Sequence, residues 1–400
     1  MSKAVLIGAV CLFLLGSLNL GCASSSSFDS SLDEIIKPYS FSFAGWEIEV
    51  LSYELEDFLF GGGDETADDS PLVLEYFSLN QQISDLEFQI ENGGDSIEAD
   101  ELAALKEQLE ELKGRKDALE DGVERIIQKQ IIETLKQMGI FNPLDGHLNL
   151  EISFPPVNFE LEAPPHLLIV SPRDRIERTK EITLVQDISV QEREEIENAI
   201  DELSVSSIVV GLGGVATYPS FVINSAGLQF TLNVAIEEWL HQYLFFRPLG
   251  FMYSLHLAGI TPNSEIAVMN ETLVGITREE IGAVLYQNYY SQYLGEVEEN
   301  NQTETTQSDE PEFNFFKEMR EIRLAVDDYL AQGEVEQAEA FMEQKRLFLA
   351  SKGYYIRRLN QAYFAFYGTY AAGPTSVNPI GTELKTLREM NTSLSAFLNT

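Results

Sequence analysis

The chain has only two cysteines among its 400 residues, Cys11 and Cys22, and both lie near its start. No disulfide can therefore form within the body that follows, so packing, with or without a bound ion, has to stabilise it. Basic residues are scarce as well. Lys and Arg total 26 against 65 Asp and Glu, for a formal net charge of -39. Phosphate recognition needs clustered Lys and Arg, which argues against nucleic acid as a partner. Direct attraction to an anionic membrane surface fails on the same ground. The acidity reads as solubility and self-repulsion. No Ser/His/Asp or Cys/His nucleophile set can be assembled either. The glycine cluster Gly211-Leu212-Gly213-Gly214 lacks a full dinucleotide fingerprint and reads as a tight turn. Apolar residues are not lacking: 44% of the chain is hydrophobic and 10% aromatic, which is enough to bury a core.

The first residues read as an export signal. Lys3 is the lone charge, Ala4 to Leu20 is apolar, and Gly21-Cys22 is followed by the tether Ser24-Ser25-Ser26-Ser27. This resembles a bacterial lipoprotein signal, which implies lipidation of Cys22. Asn19 departs from that pattern, since it stands where such signals carry Leu. A cleaved signal peptide and an uncleaved anchor are the alternatives. All three place the body outside the cytoplasm, held at a membrane if a lipid or anchor is kept.

The patterning divides the chain into 1–22 (signal), 23–70 (an N-terminal segment with a mobile acidic loop from Gly61), 71–138 and 139–400. Tyr76, Leu79, Ile83, Leu86 and Ile90 recur at spacings of three and four. Leu102, Leu105, Leu109, Leu112, Leu119, Val123 and Ile126 follow at coiled-coil spacing, after the turn Asn92-Gly93-Gly94. These predict a helical hairpin over 71–138, either an arm packed on its own chain or a partner-binding coiled coil. From Leu148 the period shortens. Leu148 to Phe154, Val157 to Leu161, His166 to Ser171, Ser207 to Val210 and Val215 to Ile223 read as strands. Ser189 and Glu192 predict a capped helix to about Ser204. Long helices are expected over 227–246 and 270–293, then over 312–331, 335–352 and 356–370. The acidic run 296–312 reads as a disordered loop. The fold class expected is α+β, mostly helical, with a small sheet.

The chemistry concentrates in Ala235-Ile236-Glu237-Glu238-Trp239-Leu240-His241-Gln242-Tyr243 and Asn270-Glu271-Thr272-Leu273-Val274-Gly275. On a helix, residues four apart share a face, so Glu237 and His241 can reach one ion. Glu238 is turned by about 100° from Glu237. Glu271 is the natural third ligand, and the three ligand atoms should then converge within about 4 Å.

Glu237-Glu238-Trp239-Leu240-His241 resembles the His-Glu-x-x-His helix of the gluzincin zinc peptidases, with Glu237 in place of the first His. Asn270-Glu271-Thr272-Leu273-Val274 resembles their Asn-Glu-x-x-Ala helix, departing at its last position. More closely, 166–399 resembles a family of poorly characterised bacterial exported proteins carrying His-Glu-Trp-x-His-His-Tyr-Leu. That likeness takes in Ser171-Pro172-Arg173-Asp174-Arg175 and Leu359 to Tyr367. It implies a gluzincin-like domain over 139–400, with Zn2+ held by Glu237, His241 and Glu271 and Glu238 as general base. The partner it implies is a peptide or protein substrate, and Val215–Ile223 would be the edge strand that pairs with it. The Glu/His/Glu set is harder than the usual one and favours an oxygen-preferring ion such as manganese. Three outcomes stay open: an active variant, a slow metal-binding enzyme, and a degenerate site with no metal. The alternative to an enzyme is a catalytically inactive, peptidase-derived binding lipoprotein acting through its cleft or its helical hairpin.

The remaining residues have plainer readings beside functional ones. Tyr363, Tyr367 and Tyr370 share a helical face, where a hydroxyl could stabilise an oxyanion or the rings could be core. Arg357 and Arg358 either hold a substrate carboxylate or pair with acids. His147, His166 and His256 read as turn, strand-start and packing or loop residues.

Overall fold

The structure, a computed structural model, describes residues 27–41, 69–93, 98–143, 153–294, 313–369, 375 and 378–400. The export signal with Cys22, the acidic stretch through residue 68, the alternation 148–152, the run 296–312 and Tyr370 lie outside them. Among the described residues no helix is long and apolar enough to cross a membrane. The fold is mostly helical with two small sheets.

The first sheet is antiparallel, with β2 (His166–Pro172) between β3 (Lys180–Leu184) and β4 (Val205–Gly211). Strand β2 reads as a continuous apolar run because both of its faces are covered. Leu168 and Val170 join a core with α1 (Ser27–Ile36) and α4 (Val190–Asp201). Leu167 and Ile169 turn the other way and pack on Ala362, Ala365 and Phe366 of α11 (Gln361–Tyr367). Ser189 caps α4: its Oγ accepts from Glu192 N–H at 3.2 Å, and the Glu192 carboxylate accepts from Ser189 N–H at 2.9 Å.

The second sheet has the order β1 (Phe159–Leu161), β6 (Ser220–Val222), β5 (Gly214–Val215). The segment expected as one edge strand over 215–223 is thus two strands. Ser220–Val222 sits in the middle of the sheet, and the edge is only Gly214–Val215.

Helices α2 (Ser70–Gly93) and α3 (Ala99–Gln137) pack against each other. The first half of α3 carries half-exposed leucines. Its second half buries Val123, Ile127, Ile131 and Leu135 in the main core. This hairpin is therefore rooted in its own chain. The same core packs around α5 (Leu228–Phe245), whose middle, from Thr231 to Leu240, is almost entirely buried. Trp239 anchors it by donating Nε1–H to Pro155 O at 2.9 Å.

Four helical expectations need correction. A helix unseen in the sequence, α6 (Pro248–Leu257), follows α5, with Pro248 setting its first turn. Helix α7 (Ser264–Tyr289) begins six residues earlier than 270, because Asn263 caps it by accepting from Glu265 N–H at 3.0 Å. After α8 (Ser291–Leu294), helices α9 (Phe315–Ala331) and α10 (Val335–Ser351) form a second hairpin. Residues 356–360 are not helical, and α11 starts only after the Asn360 cap. Finally, α12 (Ile380–Met390) and α13 (Leu394–Leu398) close the chain, with Leu394, Phe397 and Leu398 in the main core.

Candidate metal centre

Helices α5, α6 and α7 pack against one another, and their facing sides carry the polar cluster. Glu237 and His241 project from one face of α5, four residues apart. Glu271 comes from the second turn of α7. One ligand atom from each of the three lies within 4.8 Å of the others. The spacing is wider than the expected 4 Å. His241 Nε2 lies 3.9 Å from Glu271 Oε2. Glu237 is 9% exposed and Glu271 8%.

The surroundings prepare the ligands. His241 Nδ1 donates to Asn270 Oδ1 at 3.1 Å, which leaves the Nε2 lone pair facing Glu271. Glu271 Oε1 accepts the Tyr253 hydroxyl at 2.5 Å, with Oε2 turned toward His241. The Tyr253 ring stacks on the imidazole, centroids 5.8 Å apart. Arg278, two turns beyond Glu271 on α7, donates Nη1–H to Glu237 Oε2.

Glu238 faces another direction. Its Oε1 lies against Gly214 on strand β5, so close that a Cβ on Gly214 would stand 2.7 Å from it. Gly213 O accepts from Ile223 N–H, so the next residue, Gly214, turns its own backbone N–H and C=O toward the open edge of the sheet. Among the described residues no further strand pairs with β5 on that side, and these backbone groups adjoin a buried carboxyl group.

Electrostatics follow burial. Glu238 is pushed well above the ordinary carboxyl range by burial, then by Glu237 and Glu271, with Arg278 opposing. Burial also raises Glu237, and Arg278 and His241 pull it back down. By formal charge the three carboxylates and the Arg278 guanidinium sum to two negatives, which one divalent cation would neutralise; without that cation, burial favours the protonated form of Glu238. A Glu/His/Glu donor set, buried and with its free imidazole nitrogen turned inward, fits such an ion.

The chain matches no protein-family model, no curated protein and no solved structure.

Glu237, His241 and Glu271 meet, then, and Glu238 flanks them. Tyr363 and Tyr367 do not join them among the described residues. They lie on α11 with ring centroids 4.5 Å apart, and the Tyr363 ring meets Phe364 edge-on at 5.7 Å. Burial raises the pKa of both hydroxyls. The tyrosine that reaches the cluster is Tyr253, which sequence reasoning missed along with helix α6. Arg278 was missed too, although its seven-residue spacing from Glu271 was a readable signal.

Arg357 and Arg358 pair with acids. Arg357 grips the fully buried Glu197 with two hydrogen bonds, and Arg358 reaches Asp201 at 2.6 Å. His256 Nδ1 accepts from Asn263 N–H at 2.8 Å at the junction between α6 and α7. His166, at the start of β2, has Nδ1 3.3 Å from Val185 O. The segments Ser171–Arg175 and 359–367 meet each other, where Gln361 Nε2–H donates to Arg173 O at 2.7 Å beside a cavity of about 330 Å³. Arg178 lies between this region and the metal cluster. It donates to Thr369 Oγ1 at 3.1 Å and to Glu181 at 2.6 Å. Burial opposes its charge, but Glu181, Tyr253 and Glu271 outweigh burial and hold its pKa above the ordinary value.

Proposed function

We propose that this protein is an extracytoplasmic metallopeptidase-like protein of gluzincin type, anchored at a membrane through lipidated Cys22. A divalent cation is held by Glu237, His241 and Glu271, and peptide or protein is the substrate. The observation that carries the reading is the convergence of those three ligand atoms within 4.8 Å, with His241 oriented by Asn270. An imidazole nitrogen turned toward two buried carboxyl groups, one of them 30 residues further along the chain, is an arrangement that a bound cation would account for.

The bound cation supplies Lewis acidity toward a carbonyl and toward attacking water. The chain's own groups do the rest. Glu238, raised by burial, is suited to take a proton from water and pass it to a leaving amine. Gly214 offers backbone hydrogen bonds to an extended peptide laid along β5. Tyr253 holds Glu271 and stands beside the imidazole, where its hydroxyl can turn to a developing oxyanion.

A second reading rests on Arg278. Glu237 already has a cationic partner, which favours a peptidase-derived binding protein without catalysis. One experiment separates the two readings. Bound metal is measured after dialysis against Zn2+ and Mn2+, and peptide hydrolysis is followed with and without chelator in the wild type and in Glu238→Gln. The enzyme reading expects one ion per chain and chelator-sensitive hydrolysis that Glu238→Gln abolishes. Metal without hydrolysis leaves the binding protein, and no metal removes the metallopeptidase reading.

A further inference from the structure

Glu237 stands where the peptidase pattern has a neutral imidazole, and a guanidinium lies against it. Arg278 projects from the same face of α7 as Glu271, seven residues on. The contact with Glu237 is largely buried, with 28% of the Arg278 side chain and 11% of the Glu237 side chain exposed. Arg278 Nη1 binds one of the two carboxylate oxygens, Oε2. Among the described residues Glu237 is the one acid in ion-pair contact with Arg278.

Formal charges give this contact a meaning. Two neutral histidines and two glutamates around a dication balance to zero. Replacing the first histidine by glutamate alone would leave one buried negative charge once the ion is bound, an unfavourable state in a dry cluster. Arg278 removes that excess.

We infer that Glu237 and Arg278 act as one electrically neutral unit in place of the missing imidazole, Glu237 giving the ligand oxygen and Arg278 cancelling its charge. The inference rests on the metal reading above and deepens it. Arg278 is a positioning residue, acting on the ion through Glu237. Its Nη1 holds the Oε2 oxygen of that carboxylate and brings a positive charge against it. The residue that looks like damage to the motif is then half of a compensated exchange, and the two halves have to be changed together.

The test is a double-mutant cycle read by titration calorimetry with Zn2+ and Mn2+ on the purified protein. Glu237→His restores the usual ligand set by count but leaves Arg278 unpaired beside the ion, so affinity should fall by about tenfold or more. Adding Arg278→Gln to that variant should recover the loss. If Glu237→His binds Zn2+ more tightly than wild type and Arg278→Gln changes nothing further, the inference is overturned while the metal reading stands. Should the Glu237→His forms fail to fold by circular dichroism, single changes at Arg278 decide. Arg278→Lys keeps the charge and should stay near wild-type affinity, and Arg278→Gln should depart from it by about tenfold. Equal affinities for Lys and Gln overturn the inference. No metal uptake by wild type removes the metal reading and the inference with it.

Discussion

Glu124 ties helix α3 to the sheet beside the candidate metal centre, and it makes stability depend on pH in a direction opposite to that of an ordinary salt-bridged acid. Its Oε1 accepts the Leu161 backbone N–H at 2.6 Å, next to Gln128, whose Nε2–H donates to Phe159 O at 3.1 Å. Burial raises the Glu124 pKa from its ordinary 4.5 to about 8; the Leu161 N–H pulls it down, and Glu120, Glu160 and Asp121 push it up. Between those two values the folded state keeps a proton that the unfolded chain has lost. Stability contributed by this group is therefore complete below pH 4.5 and declines as pH rises toward about 8. At about 1.4 kcal/mol per tenfold change the upper bound is about 5 kcal/mol. Partial exposure and relaxation reduce the working figure to about 2–3 kcal/mol. Glu124→Gln keeps an acceptor for Leu161 N–H and cannot ionise. Urea denaturation followed by circular dichroism between pH 5 and 8.5 should show the variant gaining about 2–3 kcal/mol over wild type across that range. Parallel stability curves, or a wild type that gains on the variant as pH rises, would refute the burial of this carboxyl group.

Two further outcomes bear on the site and its support. Gly214→Ala would put a Cβ 2.6 Å from Val234 and 2.7 Å from both Glu238 Oε1 and Phe221 O. It should destabilise by about 1–3 kcal/mol and, on the proposed function, slow peptide hydrolysis by about tenfold or more by displacing Glu238. An unchanged melting temperature and rate would show that β5 does not pack this closely on Glu238. Glu197→Ala leaves Arg357 and the Val209 N–H without their shared acceptor. Loss of a buried partner of this kind costs about 3–5 kcal/mol, whereas an exposed pair such as Lys113–Glu87 is worth under about 1 kcal/mol. Denaturant midpoints compare the two, and equal small losses would refute the ranking.

What could be read from the sequence is what short-range periodicity encodes. The Ser189–Glu192 capping box marks the start of α4 because both of its partners lie within one turn. The apolar run at β2 and the alternation at β1 announce strands, and the four-residue spacing of Glu237 and His241 places both on one face of α5. Helix α6 was hidden because it is short and apolar without a clear stripe, and the early start of α7 because its cap, Asn263, follows a Pro in what reads as a loop. Tyr363, on α11, packs against the core shared with β2 and β4, a placement that helix periodicity alone does not announce.

By itself, then, the sequence determined a mostly helical α+β chain, a Glu-x-x-His helix and a second acidic helix after it. Only the tertiary structure decided that Glu271 faces His241 Nε2, that Tyr253 and Asn270 hold the ligands, and that Arg278 answers Glu237 across 41 residues. The physical reason is range. Helix period and capping act over a few residues, while the partner of a buried charge is chosen by whichever distant side chain the packed core brings within hydrogen-bond reach.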